Sequence, residues 1–311
     1  MPGVIDTYAT TLPSVPAPYS VRALQVGEAP AVVAVMAAYE RRLLGEVLIE
    51  LEDIQADWQR PSVDLANRSA GVFDGDAMVA YGEVGTDMRC EAFVHPDHWG
   101  RGIGTALAQW SIDVARRHGF ARVGQTIPDA DEAGRALFLG LGYERRHTSW
   151  ILALPETQSI PDRPLPDGYR LRDFVPGQDE QAAYQVVEDA FNEWEGRDPQ
   201  PFEEWAPQIL QRPGFEPWML RLVQDPGGVA VGACALQLSD DSGWVHQLAV
   251  AKAARGQGLA QALLADAFAS SRRHGRPRAE LSTDSRTGAL SLYEKVGMQV
   301  TSSFTHWAKA L

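Results

Sequence analysis

The chain has 311 residues, 45% of them hydrophobic and 22% charged, and its formal net charge is −13 at pH 7. This length and apolar content are typical of about two globular domains, each with its own core. The acidic balance excludes nucleic acid as the main partner, and the lack of a long apolar run predicts that no helix crosses a membrane.

The first half begins with residues 1–18, whose four prolines and lack of a basic cluster predict a flexible tail rather than a signal peptide. Apolar residues at helical spacing predict a helix over 31–42. A turn at Asp74-Gly75-Asp76 is typical of an antiparallel strand pair. Runs of apolar residues predict strands over 21–24, 72–73, 78–84, 88–94 and 122–127, and a final strand through Trp150.

A second half with the same order of elements follows a proline-rich stretch, residues 155–167, which predicts a stiff linker. Helical spacing recurs over 179–191, and Asp225-Pro226-Gly227-Gly228 predicts the antiparallel turn. The predicted strands are 169–174, 219–223, 229–238, 244–250 and 279–283, with a final strand through Trp307. Each half is therefore predicted to be an α/β domain with a mixed, mostly antiparallel central sheet flanked by helices.

The two cysteines, Cys90 and Cys234, fall in strand-like runs of different halves. No metal-ligand spacing includes them, and His95 and His98 lack a third ligand nearby, so we expect no metal site. Two buried thiols are typical of a protein in a reducing compartment. We expect a cytoplasmic protein that is a monomer or a homodimer.

A glycine-rich turn occurs once in each half, between a predicted strand and a predicted helix. The first copy reads Gly100-Arg101-Gly102-Ile103-Gly104, the second reads Gly256-Gln257-Gly258-Leu259-Ala260, and both helices end in Arg-Arg-His-Gly. Such a turn directs backbone N–H groups at one point, where the helix dipole favours negative charge. The sequence therefore predicts a duplicated domain with a phosphate-binding turn in each copy.

The position of the turn separates it from two other phosphate-binding motifs. A dinucleotide-binding turn follows the first strand of its domain and has a third glycine that is misplaced here. A nucleotide-triphosphate loop ends in Gly-Lys-Ser/Thr, and neither copy does.

The segment Arg255-Gly256-Gln257-Gly258-Leu259-Ala260 is similar to the Arg/Gln-x-x-Gly-x-Gly/Ala signature of the GNAT family of N-acetyltransferases. A downstream pattern, Ala289-x-x-Leu292-Tyr293-x-x-x-Gly297-Met298, also resembles that family. The resemblance covers nearly the whole chain outside the tail and linker, and it is to two-domain acetyltransferases of the mycothiol synthase type. It implies two tandem GNAT-like domains, over residues 19–154 and 168–311.

The resemblance implies acetyl-CoA as the cofactor, with its pyrophosphate held by the backbone N–H groups of the turn. It also implies that the preceding strand separates from its neighbour to admit the pantetheine arm. A tight turn that serves only helix–sheet packing is the structural alternative. The implied cofactor-binding residues are Leu248, Ala249, Val250, Arg255, Gly256, Gln257, Gly258, Leu259 and Ala260 in the second half, and Phe93, Val94, Gly100, Arg101, Gly102, Ile103 and Gly104 in the first.

The two halves differ at the positions to which the resemblance assigns catalysis. Tyr293 matches the family's general acid, which protonates the departing coenzyme A thiolate, and a phenol can do so once thiolate charge develops. Phe138 and Trp99 stand in the first half where Tyr293 and Arg255 stand in the second. We therefore expect catalysis in the second domain and a degenerate, non-catalytic first domain.

A general base is less clearly marked. Several family members carry a glutamate on the strand before the turn, and Trp244 occupies that position here. His246, two residues later and on the same face by strand alternation, is the candidate, with a structural histidine as the alternative. Reserve candidates are Glu193, Glu195, Asp240 and Asp241, and an acceptor of low pKa needs no base.

The region after the first helix of the second half is rich in aromatic and acidic residues, and in this family it covers the acceptor site. Aromatic rings with carboxylates suit a cationic amine. We predict that Glu193 and Trp194 bind a small-molecule amine acceptor, and that Trp205 and Trp218 are packing residues.

The function expected from this pattern is direct acetyl transfer to a small-molecule amine in a ternary complex. No Gly-x-Ser-x-Gly or Cys–His arrangement provides a nucleophile for an acyl-enzyme. Two alternatives stay open. One is a mycothiol synthase, and the other is an acyl-CoA-binding protein without turnover.

Overall fold

The computed structural model describes residues 12–86, 88–160, 162–194 and 197–311. These residues fall into two units. The first contains the described residues up to Arg146 together with Thr305–Leu311, and the second is His147–Phe304. Residues 1–11 of the tail predicted over 1–18 lie outside the described residues. In the remainder of that segment, Leu12 and Val15 pack against the first core. The sequence boundaries at 154 and 168 delimit the repeated halves, and they stay predictions.

The main sheet of the first unit is antiparallel, with strand order β1-β2-β3-β4. Its central residues Val72 and Ala80 are fully buried because helices cover both faces. The strands of this unit are β1 (Ser20–Arg22), β2 (Ser69–Asp74), β3 (Ala77–Val84), β4 (Cys90–Val94) and β5 (Arg122–Pro128).

The helices of the first unit are α1 (Ala29–Leu44), α2 (Leu51–Asp57), α3 (Leu65–Arg68), α4 (Ile103–Arg117) and α5 (Glu132–Gly140). In α1 the residues Val32, Met36 and Tyr39 share a buried face, as its helical spacing predicted. This helix ends at Leu44 and is capped by Gly45, which adopts a left-handed conformation with φ of 82°. Helix α1 covers one face of the sheet and α4 the other. The sequence interpretation contained neither α2 nor α3.

The strands of the second unit run in the order β12-β6-β11-β10-β9-β8-β7. Strands β10 and β11 are parallel, whereas β9 pairs antiparallel with both β8 and β10. The predicted α/β class with a mixed, mostly antiparallel sheet is thus confirmed. The strands are β6 (Glu144–Leu154), β7 (Arg170–Asp173), β8 (Leu220–Gln224), β9 (Ala230–Leu238), β10 (Ser242–Val250), β11 (Arg278–Asp284) and β12 (Gln299–Ala310).

The helices of the second unit are α6 (Glu180–Phe191), α7 (Phe202–Ile209), α8 (Leu259–Arg273) and α9 (Leu290–Lys295). Helix α8 covers one face of the sheet through Leu263 and Phe268, and α6 and α7 cover the other around Trp205. Ile160 and Leu165 of the predicted linker pack against the α8 side of this core. In the described part of the chain, no helix is both long and apolar enough to cross a bilayer.

The last strand of each half crosses from one unit to the other. Strand β6 lies in the second unit from His147 onward, where Leu152 pairs with Leu281 of β11. Strand β12 lies in the first unit from Thr305 onward, where Trp307 is 7% exposed and belongs to the core. The backbone N–H of Leu311 donates to the carbonyl oxygen of Ala121 at 3.1 Å. The halves thus exchange their final segments reciprocally, at matching points of the repeat.

Candidate functional site

Strand β10 separates from β11 partway along its length. The parallel ladder between them runs from Ser242↔Arg278 to Val245↔Leu281. The ladder between β10 and β9 continues to Val250↔Gly232, with a register shift between Val245 and Gln247. Among the described residues, the end of β10 is therefore paired on its β9 side only. Its backbone polar groups on the other side are available to an extended ligand.

The glycine turn that follows β10 is open around its backbone. Gly256 and Gly258 adopt φ angles of +77° and +84°, and a Cβ added at either would meet nothing within 4 Å. Gly258 is the N-cap of α8, and within the described residues no side chain caps this helix. The first N–H groups of α8 therefore have no capping side chain. They are available to donate hydrogen bonds to a phosphate.

Arg255 joins the turn to two other segments. Its Nε donates to the carbonyl oxygen of Val250 at 3.0 Å. Its Nη1 and Nη2 donate to the two carboxylate oxygens of Glu193, both at 2.9 Å, and Lys252 Nζ lies 3.8 Å from the same carboxylate. The hydrogen bond from Arg255 holds the pKa of Glu193 below its usual range. Glu193, predicted to bind the acceptor, is thus paired with the arginine predicted to serve the cofactor.

Tyr293 lies on α9 and packs, half-buried, against the same core as Leu248 and Cys234. Burial raises its pKa to about 12, and the nearby Cys234 thiol contributes. The phenol keeps its proton throughout the physiological range, as an unperturbed tyrosine does, and the shift makes it a weaker acid than a free tyrosine.

His246 occupies the register shift in β10. The extra residue interrupts the alternation of side chains, so the period-two argument that placed His246 with Trp244 does not apply across it. Burial, and secondarily the positive charge of Arg212, lower the pKa of His246 to about 4. The imidazole is therefore neutral at pH 7, able to accept a proton but only weakly basic.

The α6–α7 side of β10 carries the aromatic residues of the predicted acceptor region. Trp205 is 1% exposed, and its Nε1 donates to Gln247 Oε1 at 2.8 Å, which agrees with its predicted packing role. Trp194 is exposed and stacks on Phe191 with ring centroids 4.6 Å apart. Trp218 stacks on His274, on the other side of the sheet. The reserve candidates Asp240 and Asp241 are exposed, and Glu195 lies outside the described residues.

Gln247 and Arg212 are two polar residues of this side that the sequence interpretation missed. Gln247 holds Trp205, and Arg212 is a buried cation that influences His246. The adjacent polar residues His246 and Gln247 in a mostly apolar strand were a visible signal for the first. Arg212 sits after α7 in a segment without periodicity, and only the folded chain brings it near β10.

In the first unit, the corresponding turn is in contact with the chain's own N-terminal segment. Gly100 and Gly102 have φ angles of +72° and +81°, as in the second turn, but a Cβ on Gly102 would lie 3.4 Å from Pro16 Cγ. Arg101 donates to the Tyr19 hydroxyl at 2.9 Å, and this hydroxyl also bonds to His98. The first turn thus has the backbone shape of the second, but its Gly102 is in contact with the N-terminal segment.

The strand before the first turn also differs from β10. Phe93 stands where the second half has Ala249, and Tyr39 packs on it with ring centroids 5.0 Å apart. Trp99, in the place of Arg255, donates from Nε1 to the carbonyl oxygen of Val94 at 2.8 Å. Aromatic rings therefore occupy the positions that Ala249 and Arg255 hold in the second half.

Two further sequence differences between the halves add contacts at the position of the site in the first unit. Gln125 is 6% exposed and donates from Nε2 to the carbonyl oxygen of Ala92 at 2.8 Å, bridging β5 and β4. The second half has Leu281 at the corresponding position, which cannot donate. Phe138, in the place of Tyr293, is buried against Tyr143 with ring centroids 4.8 Å apart. The cofactor role predicted for the first turn stays a prediction, and these contacts favour a structural role.

Neither cysteine is suited to act as a nucleophile. Cys90 and Cys234 are buried, and burial raises the pKa of each thiol to about 12. The reactive thiolate is therefore almost absent at pH 7.

The sequence profile of the acetyltransferase (GNAT) family matches this chain twice, over residues 32–143 and 180–298. Among curated proteins, a mycothiol acetyltransferase of Salinispora arenicola is 31% identical over 277 residues, which span 85% of each chain. A mycothiol acetyltransferase of Thermobispora bispora is 30% identical over 254 residues, covering 76% of this chain and 79% of the relative.

Solved structures show the same two-domain architecture. An N-acetyltransferase of the GNAT family from Sphaerobacter thermophilus is 31% identical and superposes with a TM-score of 0.75, covering 96% of this chain and 97% of that one. A tandem GNAT protein from the clavulanic acid biosynthesis pathway is 16% identical, with a TM-score of 0.72 and coverage of 94% and 98%, and it supports the fold alone.

Proposed function

Because the chain belongs to the GNAT family of acetyltransferases, we propose that its second domain transfers an acetyl group from acetyl-CoA to a small-molecule amine. One observation carries the proposal. Within the described residues, the second unit alone combines three features. They are a strand end that is unpaired on one side, a glycine turn with no neighbouring atoms around its glycines, and a tyrosine at the family's acid position.

The residues present fit acetyl-CoA, which supplies the acyl thioester. The N–H groups of Gly256 to Ala260 offer a site for a diphosphate, because the turn is open and α8 lacks a side-chain cap. The unpaired side of β10 from Gln247 to Val250 offers backbone groups to the pantetheine arm. These two features lie end to end along the chain, as one extended ligand requires.

Tyr293 and His246 divide the proton transfers. The phenol of Tyr293, which is protonated at pH 7, donates its proton to the sulfur as the acyl bond breaks. The neutral imidazole of His246 accepts the proton of the attacking amine, directly or through water. Its low pKa makes it effective only after the nitrogen begins to bond, when the amine proton becomes acidic.

The chain transfers the acetyl group directly, without an acyl-enzyme. Both thiols are buried and held in the protonated form, so neither can attack a thioester. The rate then comes largely from holding the amine and the thioester together on β10.

Mycothiol acetyltransferase activity is the second candidate function. It is favoured by relatives of that name that match most of both chains at about 30% identity. Trp244 in the place of the family's usual glutamate weighs against it.

A thiol-release assay with acetyl-CoA and a panel of amines, including the mycothiol precursor, tests these functions. We expect amine-dependent release of coenzyme A, and preference for the mycothiol precursor would select the second candidate. Binding of one acetyl-CoA without release for any amine would identify a binding protein. No binding of acetyl-CoA would overturn the proposal.

A further inference from the structure

The ion pair between Glu193 and Arg255 links the segment after α6 to the glycine turn. Both guanidinium Nη atoms of Arg255 donate to Glu193 at 2.9 Å, and its Nε is bound to the carbonyl oxygen of Val250. These bonds use three of the five N–H groups of the guanidinium, including one on each Nη. A phosphate at the turn can form a bidentate pair with the Nη1–Nη2 edge of this cation only if Glu193 moves away.

The exposure of the pair makes such an exchange easy. The side chains of Arg255 and Glu193 are 44% and 32% exposed, and ion pairs with this access to water contribute little to stability. A diphosphate carries more negative charge than one carboxylate and also accepts hydrogen bonds from arginine in pairs. It therefore competes well for Arg255.

Glu193 also lies close to a second cation of the same segment. Lys252 Nζ is 3.8 Å from its carboxylate, and the side chain of Lys252 is 80% exposed. Glu193 thus places a negative charge beside the two cations that precede the turn. Its charge is maintained down to low pH, because the bond from Arg255 lowers its pKa.

The first half provides an internal comparison. Trp99 retains the hydrogen bond to the strand end but has no charge for a carboxylate to hold. The paired guanidinium is therefore not needed to shape the turn, since Gly102 and Gly258 adopt nearly the same φ of +81° and +84°. The Glu193–Arg255 pair serves something other than the local fold.

From this geometry we infer that Glu193 is an internal competitor of the cofactor, which occupies Arg255 until the diphosphate of acetyl-CoA displaces it. This assignment replaces the acceptor-binding role predicted for Glu193, and it rests on the proposed function. It makes Glu193 a residue that lowers cofactor affinity and keeps Arg255 ordered when the site is free.

Calorimetric titration with coenzyme A of the full chain and its Glu193→Gln variant tests the inference. We expect the variant to bind roughly two- to five-fold more tightly, the factor associated with an exposed ion pair. Glu203→Gln removes an exposed charge from α7 and is the matched control, with unchanged affinity expected. In an Arg255→Gln background, the gain from Glu193→Gln should shrink, as expected for residues that interact.

Other outcomes overturn the inference in distinguishable ways. Weaker binding by Glu193→Gln would show that the carboxylate supports Arg255 rather than competing for it. Unchanged binding with a raised KM for the amine would restore the acceptor role. Failure of the unmodified chain to bind coenzyme A would instead refute the proposed function.

Discussion

The indole Nε1 of Trp99 donates to the carbonyl oxygen of Val94 at 2.8 Å, and Arg255 Nε makes the corresponding bond to Val250 at 3.0 Å. The first residue of the signature therefore has two separable roles. It holds the end of the strand, which both halves retain, and it presents a positive charge, which only the second half retains. The loss of arginine at Trp99 removes the charge and preserves the local structure.

Replacing Tyr293 with phenylalanine should lower turnover roughly 100-fold or more, because the change removes a proton donor and little else. The affinity for acetyl-CoA should change by less than about two-fold, since the ring still packs against the core. Thiol release and calorimetry measure the two quantities. Tyr169→Phe, at a tyrosine packed elsewhere on the same core, is the control. Unchanged turnover would mean that another group protonates the thiolate.

The two glycine turns allow a matched pair of substitutions. Alanine at Gly258 or Gly102 introduces the same strain, because both have φ near +80°. We expect Gly258→Ala to weaken acetyl-CoA binding about ten-fold, a loss of about 1.4 kcal/mol. Gly102→Ala should leave binding unchanged, with one acetyl-CoA bound per chain in both proteins. Two sites per chain, or equal losses, would contradict a single site in the second domain.

The depressed pKa of His246 has a consequence for stability. The unfolded chain binds a proton at this residue near pH 6.5, and the folded chain binds it only near pH 4. The neutral imidazole therefore costs no stability above pH 6.5. As the pH falls from 6.5 toward 4, protonation of His246 in the unfolded chain lowers the free energy of unfolding by up to about 3 kcal/mol. Denaturant unfolding from pH 4 to 8 should show a flatter profile for His246→Gln than for the unmodified chain. Parallel profiles would show that His246 titrates normally.

The same pKa predicts the pH dependence of turnover. If His246 accepts the amine proton, its titration should limit kcat only below about pH 5, not near pH 6.5. An acidic limb near pH 6.5 that disappears in His246→Gln would show that bound acetyl-CoA or acceptor restores its basicity.

Substituting Trp307 tests the exchanged strand. This residue lies near the end of the chain but belongs to the first core, so Trp307→Ala should destabilise that unit by about 3–5 kcal/mol. Hydrogen exchange should rise in α4 more than in α8. Lys309→Ala, which removes a hydrogen bond from Lys309 Nζ to the carbonyl oxygen of Leu141, should cost about 1 kcal/mol. Faster exchange confined to α8 would contradict the assignment of Trp307 to the first unit.

Much of the fold was accessible from the sequence, because helical spacing and glycine turns are local signals. Helix α1 and both glycine turns lie where the pattern predicted them. The exchanged strands could not be predicted from it. The segments ending at Leu154 and Leu311 resemble each other whether each returns to its own half or to the other. Only the tertiary contacts of Trp307 and Leu152 distinguish the two arrangements.

The candidate site was predictable at its glycines and less so at its side chains. The roles of Tyr293 and His246 stay predictions, and the raised pKa of Tyr293 makes its phenol a weaker proton donor than a free tyrosine. The register shift at His246 is a property of the paired strands, and alternation along one strand does not reveal it. The pairing of Glu193 with Arg255 joins residues far apart in sequence, so no local pattern indicates it.

The reciprocal exchange makes each repeated half depend on the other for a complete unit. Removing the first half would take away β6, whose residues from His147 onward border β11 in the second unit. Removing the chain from Thr305 onward would take Trp307 out of the first core. Neither half is therefore expected to be stable as a separate fragment, whatever each contributes to ligand binding.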